Sequence, residues 1–324
     1  MLLAACGSGG GGGGGPVGLK SGQDVAREVA NLIALNDQSG GMSSKSASAS
    51  RASVGPRGTL ATRLWRQSRR SSSKVAQTET CNGGGTYTSE FFAGQQRSLP
   101  FFGVTPVMDL YVEDYNNCKY VNGTYSDTQN GHFESADNYA YTGFTPQNPY
   151  YDTVAFGRDN SRVTFVSRDT EFNEVVTLGA LGRSETRDNG SVYETRDLVQ
   201  LDFDSSFDGD RFRVSLDFGS GEDYLAIVDS YTAGTLAVDG PFAYSSTDCP
   251  GGSLILSTDQ AMTFAEDGFG TYVSGGRLTI DAGTASVDLV FSSNGDVAYE
   301  FVGGESGTIL RSELVDASGC IFLF

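Results

Sequence analysis

From Cys81 onward, apolar and polar residues alternate with a period of two, the period of a strand with one buried face. Val199, Leu201 and Phe203 alternate before Asp208-Gly209, and Val214, Leu216 and Phe218 alternate after it. A two-residue loop there sets 203 against 214, 201 against 216 and 199 against 218. It puts every apolar residue on one face and Asp204 opposite Arg213. Around Asn294-Gly295 a two-residue loop would oppose Leu289 and Glu300. A three-residue loop, Ser293 to Gly295, instead pairs Phe291 with Val297, Leu289 with Tyr299 and Val287 with Phe301. Further Asn-Gly and Asp-Gly pairs at 122–123, 130–131, 189–190, 239–240 and 267–268 read as hairpin turns, because both residues tolerate positive φ. Helical spacing is essentially absent from this region. The pattern predicts an all-β body over 80–324, a large antiparallel meander in the form of a twisted sheet, sandwich or barrel.

Before Cys81 the pattern is different. Gln23 to Asn36 carries Val25, Val29, Leu32 and Ile33 at helical spacing, with Ser21 or Asp24 placed to cap its start. A short amphipathic helix over 21–37 is expected, either docked on the body or standing in a linker. The nine residues Gly7 to Gly15, all glycine but Ser8, read as a tether, so 6–20 is assigned to it. Residues 38–79 form a Ser-rich linker in which Lys45, Arg51, Arg57, Arg63, Arg66, Arg69, Arg70 and Lys74 occur with no acid among them.

Leu3-Ala4-Ala5-Cys6 resembles the lipobox of bacterial lipoproteins. The resemblance implies that Cys6 is the lipidated residue, carrying a diacylglycerol and usually a further acyl chain such as palmitate. More than one chain is what stable anchoring requires. Gly7, where an aspartate would favour the inner membrane, points to the outer one. A lipobox normally closes a signal peptide with an apolar stretch of about 7–15 residues. Residues 1–5 then read as the remnant of one.

Charge sharpens this division. Residues 1–80 carry a net charge of +6 and 81–324 a net charge of −24, out of −18 for the 324-residue chain. The acidic body disfavours nucleic acid as a partner, because phosphates would be repelled. The basic linker fits attraction to anionic headgroups beside an anchor, or a soluble spacer. Four cysteines remain besides Cys6: Cys81, Cys118, Cys249 and Cys320. An even remainder in an exported protein reads as two disulfides with three possible pairings. Cys81-Asn-Gly-Gly-Gly-Thr-Tyr-Thr and Cys249-Pro-Gly-Gly-Ser-Leu-Ile-Leu form a weak internal repeat. Cys81–Cys118 and Cys249–Cys320 are expected, since each pair brackets one copy, with lobes at 80–247 and 248–324. Lipobox, tether and Cys-Gly-Gly β repeats together resemble a group of uncharacterised proteobacterial lipoproteins. That group implies location and fold but no activity.

Chemistry is sparse. Gly304-Glu305-Ser306-Gly307 comes nearest to a nucleophile elbow and misses it, and neither a P-loop nor a dinucleotide fingerprint is present. The one histidine, His132, reads as an ordinary surface residue. Four paired cysteines and one histidine leave too few zinc ligands. The densest acids, Asp202, Asp204, Asp208 and Asp210, lack calcium-loop spacing and have Arg211 and Arg213 beside them. Asp288 falls opposite Glu300, which needs a cation or solvent between them. Aromatic residues crowd 91–151, suiting either core filling or stacking on a sugar or protein. No catalytic residue, metal or cofactor is assigned. The expected function is a non-enzymatic envelope lipoprotein of the outer membrane, binding an envelope protein or glycan. The alternatives are an outer-membrane β-barrel, suggested by the terminal Phe322 and Phe324, and a carboxylate-based glycan hydrolase.

Overall fold

The computed structural model describes residues 19, 21–29, 77–247, 252–267 and 270–317. Cys6, Cys249 and Cys320 lie outside the described residues, as does most of the linker. The body is one large antiparallel sheet, as the period-two pattern requires. It divides into two compact units. One, the polar-core unit, takes 77–190 and 195–224; the other, the helix unit, takes the N-terminal helix, 191–194 and 225–317.

In the polar-core unit the strands are β1 (Gln77–Thr80), β2 (Thr86–Gln96), β3 (Val107–Asn122), β4 (Tyr125–Asp137), β5 (Tyr150–Phe156), β6 (Val163–Asp169), β7 (Glu174–Asp188), most of β8 (Val192–Phe207) and β9 (Asp210–Phe218). β5 and β6 both lie between β4 and β7, β5 against 133–137 of β4 and β6 against 125–130. A disulfide joins Cys81 to Cys118 across 5.4 Å between Cα atoms. Its sulfurs pack with Tyr87, Tyr115 and Tyr120. Nearby, the Asn82 side chain accepts from Val121 N (2.7 Å) and donates to Val121 O (2.9 Å), copying a strand ladder.

The helix unit holds β10 (Leu225–Ser230), β11 (Thr235–Ser246), β12 (Gly252–Asp267), β13 (Gly270–Asp281), β14 (Ser286–Phe291), β15 (Val297–Phe301) and β16 (Ser306–Ile309). Each pairs with the next in sequence. Its core is aliphatic and aromatic: Leu225, Leu278, Ile280, Val287, Leu289 and Val297 are wholly inaccessible to solvent. The N-terminal helix α1 (22–29) is part of that core. Leu19, Val25 and Val29 are buried to 1% or less, and Gln23 is its one exposed residue. Ser21 caps it, accepting from Asp24 N at 3.3 Å. Buried Glu28 accepts from the Tyr244 hydroxyl at 2.7 Å. Gly22 meets Tyr299 so closely that a Cβ there would come within 2.7 Å of its hydroxyl. Eight residues are too few for a stable helix in water, so this packing is what fixes α1. Of the two expectations for the helix, docking is the one realised.

Both detailed hairpin registers are present as read. Leu201 faces Leu216, Phe203 faces Val214 and Asp204 faces Arg213. Phe291 faces Val297, Leu289 faces Tyr299 and Asp288 faces Glu300. Two other expected turns are corrected. Asn130-Gly131 lies within β4, where that strand exchanges β6 for β5. A Cβ at Gly131 would stand 2.8 Å from Val163 Cα. Asp239-Gly240 lies within β11 at a register shift, where Thr258 and Asp239 side chains replace ladder bonds at 2.7–2.9 Å. The same tolerance of positive φ serves a strand beside a register shift as well as a turn. One helix of the β region was not anticipated, α2 (Arg311–Ala317). Its signal is the Glu313 carboxylate reaching back to Leu310 N at 2.8 Å, a capping arrangement.

Candidate functional site

In an antiparallel meander alternate connections fall at the same end. In the polar-core unit one end therefore collects the loops after β2 (97–106) and after β4 (138–149), with 189–190 after β7. These loops carry many of the aromatics noted in the sequence. They divide into a strap, an aromatic platform and, between strands, a polar interior.

The strap, 97–106, lies across the sheet face that presents Ala136 and Glu185. Leu99 fills an apolar pocket with Met108 and Ala136, flanked by Val104, Leu110 and Tyr151. Around it, buried charge grips the backbone. The Glu185 carboxylate accepts from Phe101 N at 3.0 Å, and Arg196 donates to the Phe101 carbonyl. Arg183 donates to Ser98 O at 3.2 Å, and Arg97 pairs with Glu134. The Phe102 ring lies under Arg196 (4.5 Å) and Arg187 (5.3 Å) and tilts against Tyr151. Burial pushes the Glu185 carboxyl up to about 7, against the opposing pull of Arg183 and the backbone N–H groups of the strap.

His132 belongs to this face and corrects the expectation of a surface histidine: it is 7% exposed. Its Nδ1 is 2.8 Å from Asp114 and its Nε2 is 3.1 Å from Glu134. Arg158 approaches the same Nε2 at 2.9 Å. With a carboxylate at each nitrogen, the ring bridges β3 and β4 and is not presented as a base to a nucleophile. The sequence signal was missed because His132 follows Gly131, which looks like a turn and lies within a strand.

The aromatic platform is the loop 138–149. Asn138 ties its ends, accepting from Tyr151 N (2.6 Å) and donating to Pro149 O (3.0 Å). Thr142 donates to Asn148 O at 2.9 Å, and Asn148 donates to Tyr141 O at 3.3 Å. Phe144 stacks on Tyr150 with centroids 5.3 Å apart, and Tyr139 meets Phe144 edge-on at 5.9 Å. Phe144 sits at φ +52°, a conformation that a bulky residue keeps only when its surroundings over-determine it. Against this scaffold Tyr139 is 66% exposed and Tyr141 42% exposed, the latter with its hydroxyl on Asp109 at 2.8 Å.

The opposite sheet face of the same strands is the polar interior. Register places Ser135, Val154 and Ser184 in one row across β4, β5 and β7. Beside Ser184 stands Asp197, wholly buried on β8. Neither Asp197 oxygen has a hydrogen-bond partner, nor do the hydroxyls of Ser135 and Ser184. Desolvation drives the Asp197 carboxyl up to about 7, and the nearby Ser184 hydroxyl only partly opposes that.

Among the other acids noted in the sequence, Asp202, Asp204 and Asp288 are engaged by neighbours. Asp202 pairs with Arg162 and accepts from Ser215 at 2.6 Å. Asp204 takes both Arg211 and Arg213. In the helix unit, the cation that Asp288 needs opposite Glu300 is Arg277, at 2.5 Å. Thr279 donates to the same carboxylate at 2.7 Å. No group of three or more His, Cys, Asp or Glu is placed to hold a metal among the described residues. Comparison of the chain with protein-family models, with curated proteins and with solved structures finds no match.

Proposed function

We propose that this chain is a lipoprotein of the bacterial outer membrane, anchored through Cys6, whose β body binds an envelope glycan without chemistry. The observation that carries the reading is the aromatic platform. Tyr139, two-thirds exposed, is presented by a loop whose backbone is fastened at both ends. An exposed ring held rigid in advance loses little entropy when a flat apolar sugar face stacks on it. Tyr also carries a polar tip for the sugar hydroxyls. The net charge of −24 over 81–324 selects neutral or amino sugars over anionic ones. The strap supports a binding role in a second way. Its charged groups already serve backbone and side-chain partners within the fold, which rigidifies the end that carries the platform.

The test is titration of the purified body with neutral, amino and anionic oligosaccharides, followed by tryptic mapping or calorimetry. Neutral or amino saccharides should bind, and Tyr139→Ala should weaken that binding at least tenfold while leaving the fold intact. Binding that survives Tyr139→Ala unchanged, or a preference for anionic chains, sinks the assignment.

A further inference from the structure

We infer that α1 is the point at which the tether is fastened to the body, so that the acting leash is 12 residues, Gly7 to Gly18, and not the 70 residues from Gly7 to Ala76. The inference rests on the proposal that Cys6 is lipidated. What carries it independently is the burial of α1. Leu19, Val25 and Val29 are core residues of the helix unit, and Glu28 is bonded to Tyr244 inside it. Gly22 lies so close to Tyr299 that no larger residue fits without displacing that ring. A segment packed this way transmits tension from the anchor directly into the unit.

Two consequences follow from chain geometry. Twelve residues span at most about 40 Å, whereas seventy could span about 230–250 Å. The helix unit is therefore held within about 40 Å of the bilayer surface. Residues 30–76 become a closed connection from α1 to β1, tied to the body at both ends and bearing no load from the anchor. The basic residues Lys45 to Lys74, which the sequence places in a spacer between membrane and body, belong to that connection.

The experiment uses the full chain, produced with a complete signal peptide, lipidated and reconstituted in phosphatidylcholine vesicles. A donor dye is introduced through an unnatural amino acid at Val302, which is 77% exposed, and acceptor lipids are placed in the bilayer. Forty Gly/Ser residues are inserted after Gly18 in one variant and after Ser50 in another. The first insertion raises the maximum reach from about 40 Å to about 180 Å, more than fourfold, and should sharply reduce energy transfer. The second should leave transfer at the wild-type value. Equal losses in the two variants would show that α1 bears no load, and the inference fails. Circular dichroism and the melting temperature of each variant, expected to match the wild type, separate a reach effect from misfolding. Fatty-acid labelling and a Cys6→Ser control separate the two ideas. If the Cys6→Ser protein stays on vesicles as well as the wild type, the anchor reading itself is wrong and the leash falls with it.

Discussion

The two units share one architecture, antiparallel strands joined by tight turns, yet they fill their interiors differently. Among the described residues the helix unit buries three polar or charged side chains, Glu28, Glu194 and Asp229, and every one of them has a partner. The polar-core unit buries thirteen, and among them the wholly buried Asp197 carboxylate has the Ser184 hydroxyl beside it but no well-aligned hydrogen bond. The helix unit completes its core with α1, an apolar plug from outside the sheet. The polar-core unit closes with a strap held by ionic contacts, and carries a disulfide apart from it. The difference shows that a period-two pattern specifies which face is buried but not how dry that face is. An interior built from Leu, Ile and Val gains stability from burial. One that includes carboxyls and serines gives some of that gain back.

The largest effect should come from placing a charge in either core. Leu289→Asp in the helix unit and Leu201→Asp in the polar-core unit each bury an unpaired carboxylate where a leucine was 0% and 3% exposed. Each should cost at least about 4 kcal/mol and melt its own unit first. Amide exchange resolved by residue measures this. If Leu201→Asp is absorbed at little cost, the polar interior is wetter than its burial implies, and the contrast between the units becomes sharper.

Titration should then separate the units by sign. Glu185 and Asp197 have carboxyls raised to about 7, well above their unfolded values near 4. Their contribution to stability is fully present below about pH 4 and is lost as pH rises through 7. Asp288 in the helix unit is shifted the other way, lowered by the Thr279 hydroxyl and by Arg277. Its contribution is present above the usual carboxylate range and is lost as pH falls below it. Denaturant unfolding of the polar-core unit, followed from pH 5 to 8.5, should show a falling midpoint. Asp197→Asn should flatten part of that slope. A midpoint that rises over this range would contradict the burial of both groups.

Much of the fold was legible because its signals are local. The registers at 199–218 and 287–301 follow from side-chain alternation and turn length alone, and both are realised. Gly131 and Gly240 look like turn residues but lie within strands beside register shifts, because φ tolerance is a property of the residue, while the choice between a turn and an irregular strand depends on strands far away in sequence. The site was less legible for the same reason. Glu185, Arg196 and Phe101 converge from positions up to 95 residues apart, so their contact has no sequence spacing to betray it. The docking of α1 shows in its apolar stripe, but its receptor is assembled from strands beyond residue 224. The exposed platform could not be separated from core aromatics by composition, since Tyr139 and Tyr115 are the same residue type with opposite fates.

The smallest expected effect tests the face assignment of the polar-core unit. Asp204 stands on the outer face of β8 between Arg211 and Arg213, whose side chains are more than half exposed. Its carboxyl is held below the usual range, first by the hydrogen bond from Arg211. Solvent screens such pairs, and holding long side chains in place offsets much of the attraction. Asp204→Asn should therefore cost at most about 1 kcal/mol, and less at high salt. Leu216, on the same hairpin one strand over, is 2% exposed and faces Leu201, so Leu216→Asp should be severe by comparison. A one-residue slip of this hairpin would reverse the two outcomes, because it turns every apolar side chain of β8 and β9 to the other face. Equilibrium unfolding of the two variants side by side decides it. If Asp204→Asn unfolds the unit while Leu216→Asp is tolerated, the interior is the face that carries Asp202 and Asp204. The strap and Glu185 would then lie inside it and Asp197 outside.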